Sequence, residues 1–295
     1  MKIGVNVHLA SRSTLDLAVQ AGCTYVRIDA PWPMVQPYRN EWAWALLDDS
    51  VEGARERNLE VLVTLNGVPP WANGGRERNI PAIEVTDWVL YVKAIVERYR
   101  SHLAAIEIWN EANIYGYWAG TAEQYVQYLL KPAAGVIRQI APEIKICGPA
   151  LSMEGKWPAW LETVLKAGGD ALDVVSTHCY QKDGKAIWQA LCETPKWWVV
   201  WKDPCLQDVL RDVGMSHRPV YLTECGWNSA KVTEAQQADA VDQLLERWQT
   251  QPWVQKVYLY QLIDERHPVW WGLFHEDRSP KPVVQVIQKR QGGVG

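Results

Sequence analysis

The run Ala105-Ile106-Glu107-Ile108-Trp109-Asn110-Glu111 reads as a buried strand that ends in polar groups. Its apolar residues span a strand's length, and a carboxylate closes it. Ahead of it, residues 88–102 place apolar side chains three and four apart, the spacing of a helix with one buried face. A second run has the same form: Val220-Tyr221-Leu222-Thr223-Glu224-Cys225-Gly226-Trp227. A carboxylate at the end of a buried strand is costly unless it faces a cleft and finds partners there.

Six further runs have the same strand character, at 3–7, 25–28, 60–65, 144–147, 173–177 and 257–262. Helical patterns lie between them, over 14–22, 46–58, 122–140 and 234–249, and a closing helix is expected over 282–290. Thr121-Ala122-Glu123-Gln124 and Thr233-Glu234-Ala235-Gln236 have the form of capping boxes and mark two helix starts. Strand then helix, repeated eight times in 295 residues, predicts a (β/α)8 TIM barrel. A doubly wound open sheet would show a glycine-rich first turn, whereas the first turn here is Asn6-Val7-His8-Leu9-Ala10-Ser11. With no linker or repeat evident, a single domain over 1–295 is expected.

Composition narrows the partners. The chain is 48% apolar with a net charge of −4, so no basic surface points to nucleic acid. No stretch reaches the roughly 18 to 20 apolar residues of a membrane span. Met1-Lys2-Ile3-Gly4-Val5 runs straight into a strand, so no signal peptide is expected, although a secreted form with its leader removed would read the same. Among the cysteines, Cys192 and Cys205 flank a tryptophan-rich segment and can pair in an oxidising compartment; without a leader they read as two thiols. A monomer without a cofactor is expected.

Eighteen tryptophans and twelve tyrosines stand against one phenylalanine, so indoles must fill core positions as well as any sugar platforms. Polar residues gather at the predicted strand ends: Asn6, His8, Arg27, Asp29, Asn66, Asn110, Glu111, His178, Tyr180, Glu224, Gln261 and Asp264. Strand C-terminal ends converge on one opening in such barrels. Two carboxylates there suit cleavage of a glycosidic bond, one protonating the leaving oxygen and the other attacking the anomeric carbon. A metal at His178 has no HxH or HxxxH spacing to support it, and no metal site is expected.

Trp109-Asn110-Glu111 and Thr223-Glu224-Cys225-Gly226-Trp227 resemble the retaining glycoside hydrolases of clan A. The likeness extends to Val26-Arg27-Ile28-Asp29 with Trp32, to Pro70-Trp71-Ala72, to His178-Cys179-Tyr180 and to Gly272-Leu273-Phe274. Within the clan the chain is most similar to the family 39 type, with family 5 second. The resemblance implies that Glu111 is the acid/base, Glu224 the nucleophile and Asn110 a donor to the sugar 2-hydroxyl. It places Arg27 and Tyr180 beside Glu224, and His178, Trp32, Trp71, Trp227 and Trp270 around the substrate. It also implies carboxyls about 5 to 5.5 Å apart. The expected activity is endo-type cleavage of a β-linked oligo- or polysaccharide. A transglycosidase or a non-catalytic sugar-binding barrel is the alternative. The connection 180–204 carries Trp188, Trp197, Trp198 and Trp201, at least one of them expected as an exposed sugar platform.

Overall fold

The computed structural model describes residues 2–192 and 204–292. Eight parallel strands close a barrel in sequence order: β1 Gly4–Asn6, β2 Tyr25–Pro31, β3 Glu60–Asn66, β4 Leu103–Ile108, β5 Lys145–Ser152, β6 Val174–His178, β7 Val220–Cys225 and β8 Val254–Leu259. Helices follow the strands and bury their apolar faces on the outside, as with Val85–Tyr99 through Trp88, Tyr91, Val92, Ile95 and Val96. Both capping boxes form, at Thr121 with Gln124 and at Thr233 with Gln236. The expected 122–140 helix is interrupted by a π-helical turn at Val126–Leu130, just before Pro132. A proline there has no N–H to donate, and the wider turn accommodates the gap.

Two strands differ from their sequence reading. β5 runs on through Gly148 and Pro149 to Ser152, where a Gly-Pro pair reads as a strand end. β8 stops at Leu259, although its apolar run continues to Leu262. The Tyr260–Gln261 peptide there is cis, and beyond the strand Tyr260 N still donates to Cys225 O at 2.8 Å and Leu262 N to Asn6 O at 3.0 Å. A long segment follows, organised by Asp264. Its carboxylate accepts from the Gly272 N–H at 2.7 Å and from the buried Lys281 ammonium at 2.8 Å. Asp264 therefore shapes this loop.

The barrel interior is layered with the period-two alternation of strands. At the N-terminal end Tyr25, Leu62, Ala105, Cys147, Val174, Tyr221 and Tyr258 form an apolar plug, each at most 5% exposed. The next layer up is polar, with Asn6, Arg27, Thr64, Glu107 and Ser176 all buried. The layer above, at the strand C-terminal ends, holds His8, Asp29, His178 and Glu224. Gly4 belongs to the plug because a Cβ there would lie 2.0 Å from the Tyr25 ring and 2.9 Å from that of Tyr258. Gly4→Ala should therefore lower stability by about 1–3 kcal/mol through overpacking, read as a fall in Tm, with the strand C-terminal ends undisturbed.

Candidate active site

The turn after β4 aims Asn110 and Glu111. Trp109 and Glu111 take left-handed backbone angles, φ 75° and φ 45°, rarely adopted by residues with a side chain. Each costs of order 1–3 kcal/mol and persists only where its surroundings fix it. Here they do. The Trp109 indole is buried between Trp88 and Trp118, at 5.8 and 5.5 Å, and donates to the Tyr117 carbonyl at 3.1 Å. The Glu111 N–H donates to Ala150 O at 2.9 Å. Ala119 N donates to Asn79 O at 2.9 Å, and Asn79 Nδ2 to Tyr115 O at 2.7 Å, so the β3 and β4 connections brace each other.

Glu224 reaches the same cleft from β7. Register shifts in the β6–β7 and β7–β8 ladders, near Thr177/His178 and Leu222/Cys225, turn its carboxylate inward. Gly226 permits the exit, since a Cβ there would lie 2.2 Å from Tyr260 O. Arg27 Nη1 donates to Glu224 Oε1 at 2.7 Å, and the Tyr180 hydroxyl donates to Oε2 at 2.7 Å. Burial and the neighbouring Glu224 charge push the Tyr180 hydroxyl well above its ordinary range, so it stays a donor. His178 is fully buried, its Nδ1 3.0 Å from Glu111 Oε1 and 3.5 Å from Glu224 Oε2. Donor atoms of Glu111, His178 and Glu224 all lie within 4.8 Å of one another.

Arg27 links these groups. It is 2% exposed, and besides Glu224 it donates from Nε to Glu107 Oε2 at 2.7 Å, from Nη1 to Asn6 Oδ1 at 2.9 Å and from Nη2 to Asn110 Oδ1 at 2.7 Å. Burial works against its charge, but Glu107, Glu224 and Asp29 outweigh that and raise it above the usual arginine range. Because Asn110 spends its oxygen on Arg27, its amide nitrogen is oriented to donate.

His8 holds the opposite rim. Its Nδ1 lies 2.7 Å from Asp29 Oδ2 and its Nε2 2.6 Å from Gln261 Oε1. Burial lowers its affinity for a proton, yet Asp29, Gln261 and Glu265 together push it up to about 9. Tyr180, Tyr260 and Trp271 meet edge to face, Trp271 lying 5.2 Å from Tyr180 and 6.2 Å from Tyr260.

The sequence expectations for the indoles need correction. Trp32 is fully buried, stacked 5.3 Å from Tyr91 with its N–H on Gln36, and cannot touch a ligand. Trp227 is 4% exposed and donates to Gln181 O at 2.8 Å, so it packs beneath the rim. Trp71 is half-buried with the Arg39 guanidinium 4.7 Å over its ring. Trp270 is exposed and packs against His267 at 4.9 Å; its neighbour Trp271 joins the aromatic wall beside Glu224. Trp188 is fully buried on the helix Gly184–Cys192 and donates to Leu244 O at 2.9 Å, while Trp197, Trp198 and Trp201 lie outside the described residues. Sequence reasoning passed over Glu107, Tyr260 and Trp271. For Glu107 the local signal was an acid inside an apolar strand; that it lies level with Arg27 needed the strand register.

The Asp29–His8 contact is directly testable. A histidine raised from 6.5 to about 9 on folding adds stability that is whole below pH 6.5 and lost as the pH rises through about 9. Asp29→Asn should bring the His8 midpoint down by roughly one to two pH units, read by NMR titration of the imidazole. The Tm advantage of the unaltered protein over this variant should be greatest between about pH 4 and 6.5 and gone above about pH 9.

Known proteins resemble the chain in sequence and in fold. Among curated proteins, the chain is 37% identical over 78 residues to a beta-xylosidase of Caldicellulosiruptor saccharolyticus, a match covering 26% of this chain and 16% of that one. It is 30% identical over 177 residues to a probable glucan 1,3-beta-glucosidase A of Neosartorya fischeri, covering 55% of this chain and 40% of that one. The chain thus spans less than half the length of these relatives. Among solved structures, the fold matches a family 39 glycoside hydrolase from the gut symbiont Bacteroides cellulosilyticus WH2 with a TM-score of 0.80 at 19% identity, over 98% of this chain and 63% of that one. It matches a monomeric beta-xylosidase from Caulobacter crescentus CB15 with a TM-score of 0.71 at 17% identity, over 99% and 68%. The family model for glycosyl hydrolases family 39 matches residues 80–245, more than half of the chain and a stretch that carries both Glu111 and Glu224. The chain belongs to glycosyl hydrolases family 39.

Proposed function

We propose that this protein is a retaining β-glycosidase in which Glu224 is the nucleophile and Glu111 the acid/base. The observation that carries the reading is the approach of the two carboxylates to within 4.8 Å across the cleft, in the short range used for double displacement. Their surroundings divide the roles. Glu224 is held by a guanidinium and a phenol hydroxyl, partners that suit a carboxylate ready to attack. Glu111 shares His178 instead and touches no arginine or lysine among the described residues, which suits a group that must carry and release a proton.

In the first step a Glu224 oxygen bonds to the anomeric carbon while the bond to the leaving oxygen breaks. The electron pair of that bond goes to the leaving oxygen, which takes the Glu111 proton. In the second step water gives a proton to Glu111 and attacks the same carbon, and the ester bond to Glu224 breaks. The Asn110 amide donates to the sugar 2-hydroxyl, a contact that tightens in the transition state. Arg27 acts through Glu224 and Asn110 and does not reach the sugar itself. Tyr260 and Trp271 supply the apolar wall against the sugar ring.

The names of the relatives point to a β-linked xylose or glucose unit as substrate. Exposed rings at Tyr115, Tyr117 and Trp270, on the connections after β4 and β8, offer contacts to further units and support cleavage within a chain. The protein acts as a monomer in this reading, without a metal. The three donor atoms at the site are close enough to share a cation, but Arg27 already supplies positive charge to Glu224.

Glu224→Ala should remove nearly all turnover. Glu111→Ala should slow natural glycans by about 10²–10⁴-fold and 2,4-dinitrophenyl glycosides far less, because their leaving group needs no proton and only the attack of water on the glycosyl-enzyme then suffers. Azide should restore activity to Glu111→Ala as the glycosyl azide forms. Equal losses on both substrates without azide rescue would overturn the roles, and activity abolished by a chelator would point to a metal.

A further inference from the structure

We propose that Glu107 is a positioning residue for the nucleophile: its buried carboxylate draws off part of Arg27's charge, so that Glu224 is held in place yet left reactive. This inference rests on the glycosidase reading above. Glu107 has no exposed surface and lies one layer beneath the cleft. Its Oε2 accepts from Arg27 Nε at 2.7 Å and from Thr64 Oγ1 at 2.9 Å, while its Oε1 has no partner in hydrogen-bond geometry among the described residues. The same guanidinium meets Glu224 Oε1 at 2.7 Å through Nη1. One rigid, planar cation thus stands between two carboxylates.

Holding Arg27 in place does not require a second negative charge. Glu224 already neutralises the guanidinium, and a glutamine at 107 would accept the Nε–H without the cost of burying an ion. Burial pushes the Glu107 carboxyl up, but Arg27, His178 and Ser176 outweigh it and keep it below the ordinary carboxylate range, so the charge is present. Its effect falls on Glu224. A carboxylate paired with an undivided guanidinium gives up its charge to an anomeric carbon reluctantly. With Glu107 competing for the same cation, less of that charge is committed to Glu224.

The other groups that face Glu224 stay fixed in the test. Asp29 shares Arg27's strand, and Glu111 and Tyr117 follow β4. His178 and Tyr180 come from the end of β6, Cys225 adjoins on β7, and Tyr260 follows β8. Glu107→Gln removes one charge and keeps the acceptor for Arg27. Thr64→Val acts in the opposite sense: Glu107 loses the Thr64 hydroxyl, though not Ser176, and leans harder on Arg27.

The experiment measures kcat/KM against pH for 4-nitrophenyl β-D-xyloside and β-D-glucoside with the unaltered protein, Glu107→Gln and Thr64→Val, alongside melting curves. The expected result for Glu107→Gln is about a tenfold fall at the plateau and an acid limb moved down by about one pH unit. Thr64→Val should move the acid limb up by a smaller amount. Opposite shifts are beyond what loosened packing alone would produce. An acid limb that stays in place or rises in Glu107→Gln, whatever its Tm, overturns the proposal. If Glu107→Gln does not melt cooperatively, Thr64→Val decides, an upward shift supporting the proposal and an unmoved limb overturning it. No turnover of either glycoside, nor of a β-linked xylo- or gluco-oligosaccharide, by the unaltered protein counts against the glycosidase reading and this proposal together, whereas normal turnover with unmoved limbs in the variants removes only the role of Glu107.

Discussion

The guanidinium of Arg27 is the fixed point of this molecule. It lies inside the barrel between the apolar plug and the open cleft, and it touches residues from three other parts of the barrel: Asn6 on β1, Glu107 and Asn110 on and after β4, and Glu224 on β7. A flat group with donors in a rigid fork transmits orientation as well as charge. If one partner moves, the others lose their reference. Buried ion pairs of this kind add little net stability against an apolar core, but breaking one by removing a single partner costs about 3–5 kcal/mol. The arrangement therefore reads as a device for aim, installed where an apolar layer would have been the cheaper filling.

Two solutions hold the cleft carboxylates, Glu224 and Glu111, above that point. Glu224 gains its angle from misaligned ladder rungs and a glycine that lets Tyr260 O come close. Glu111 gains its angle from a left-handed turn, and a buried indole at Trp109 holds that turn in place. Four of the eighteen tryptophans find their use here. Trp32, Trp88, Trp109 and Trp118 are fully buried neighbours, each contacting another at 5.5–5.8 Å, and they make a rigid backing for the strained turn.

The sequence carried the strand and helix order because apolar runs and periodicity are local, and both capping boxes because they span four residues. It marked Glu111, Asn110 and Glu224 as residues of the cleft because a polar residue ending an apolar strand is conspicuous. It did not carry the division of the indoles. Trp32 and Trp271 differ in what surrounds them, and that depends on chain segments far away in sequence. Nor did it carry the end of β8, where the apolar run outlasts the strand by three residues, Tyr260 to Leu262. Glu107 was legible only with the register in hand, since its meaning lies in an arginine 80 positions earlier on another strand.

The tyrosine rings of the plug have a further consequence. With Tyr25, Tyr221 and Tyr258 packed tightly around Gly4 and the other plug residues, the lower end of the barrel offers no passage among the described residues. Everything that reaches Glu224 must come and go through one mouth. In the proposed two-step reaction, a sugar fragment released by the first bond cleavage would leave by the path along which water must arrive for the second. While it lingers there, its own hydroxyl stands where the water should be. On that reading the shape of the barrel sets up a contest between hydrolysis and rejoining, and the time the fragment spends in the doorway decides it.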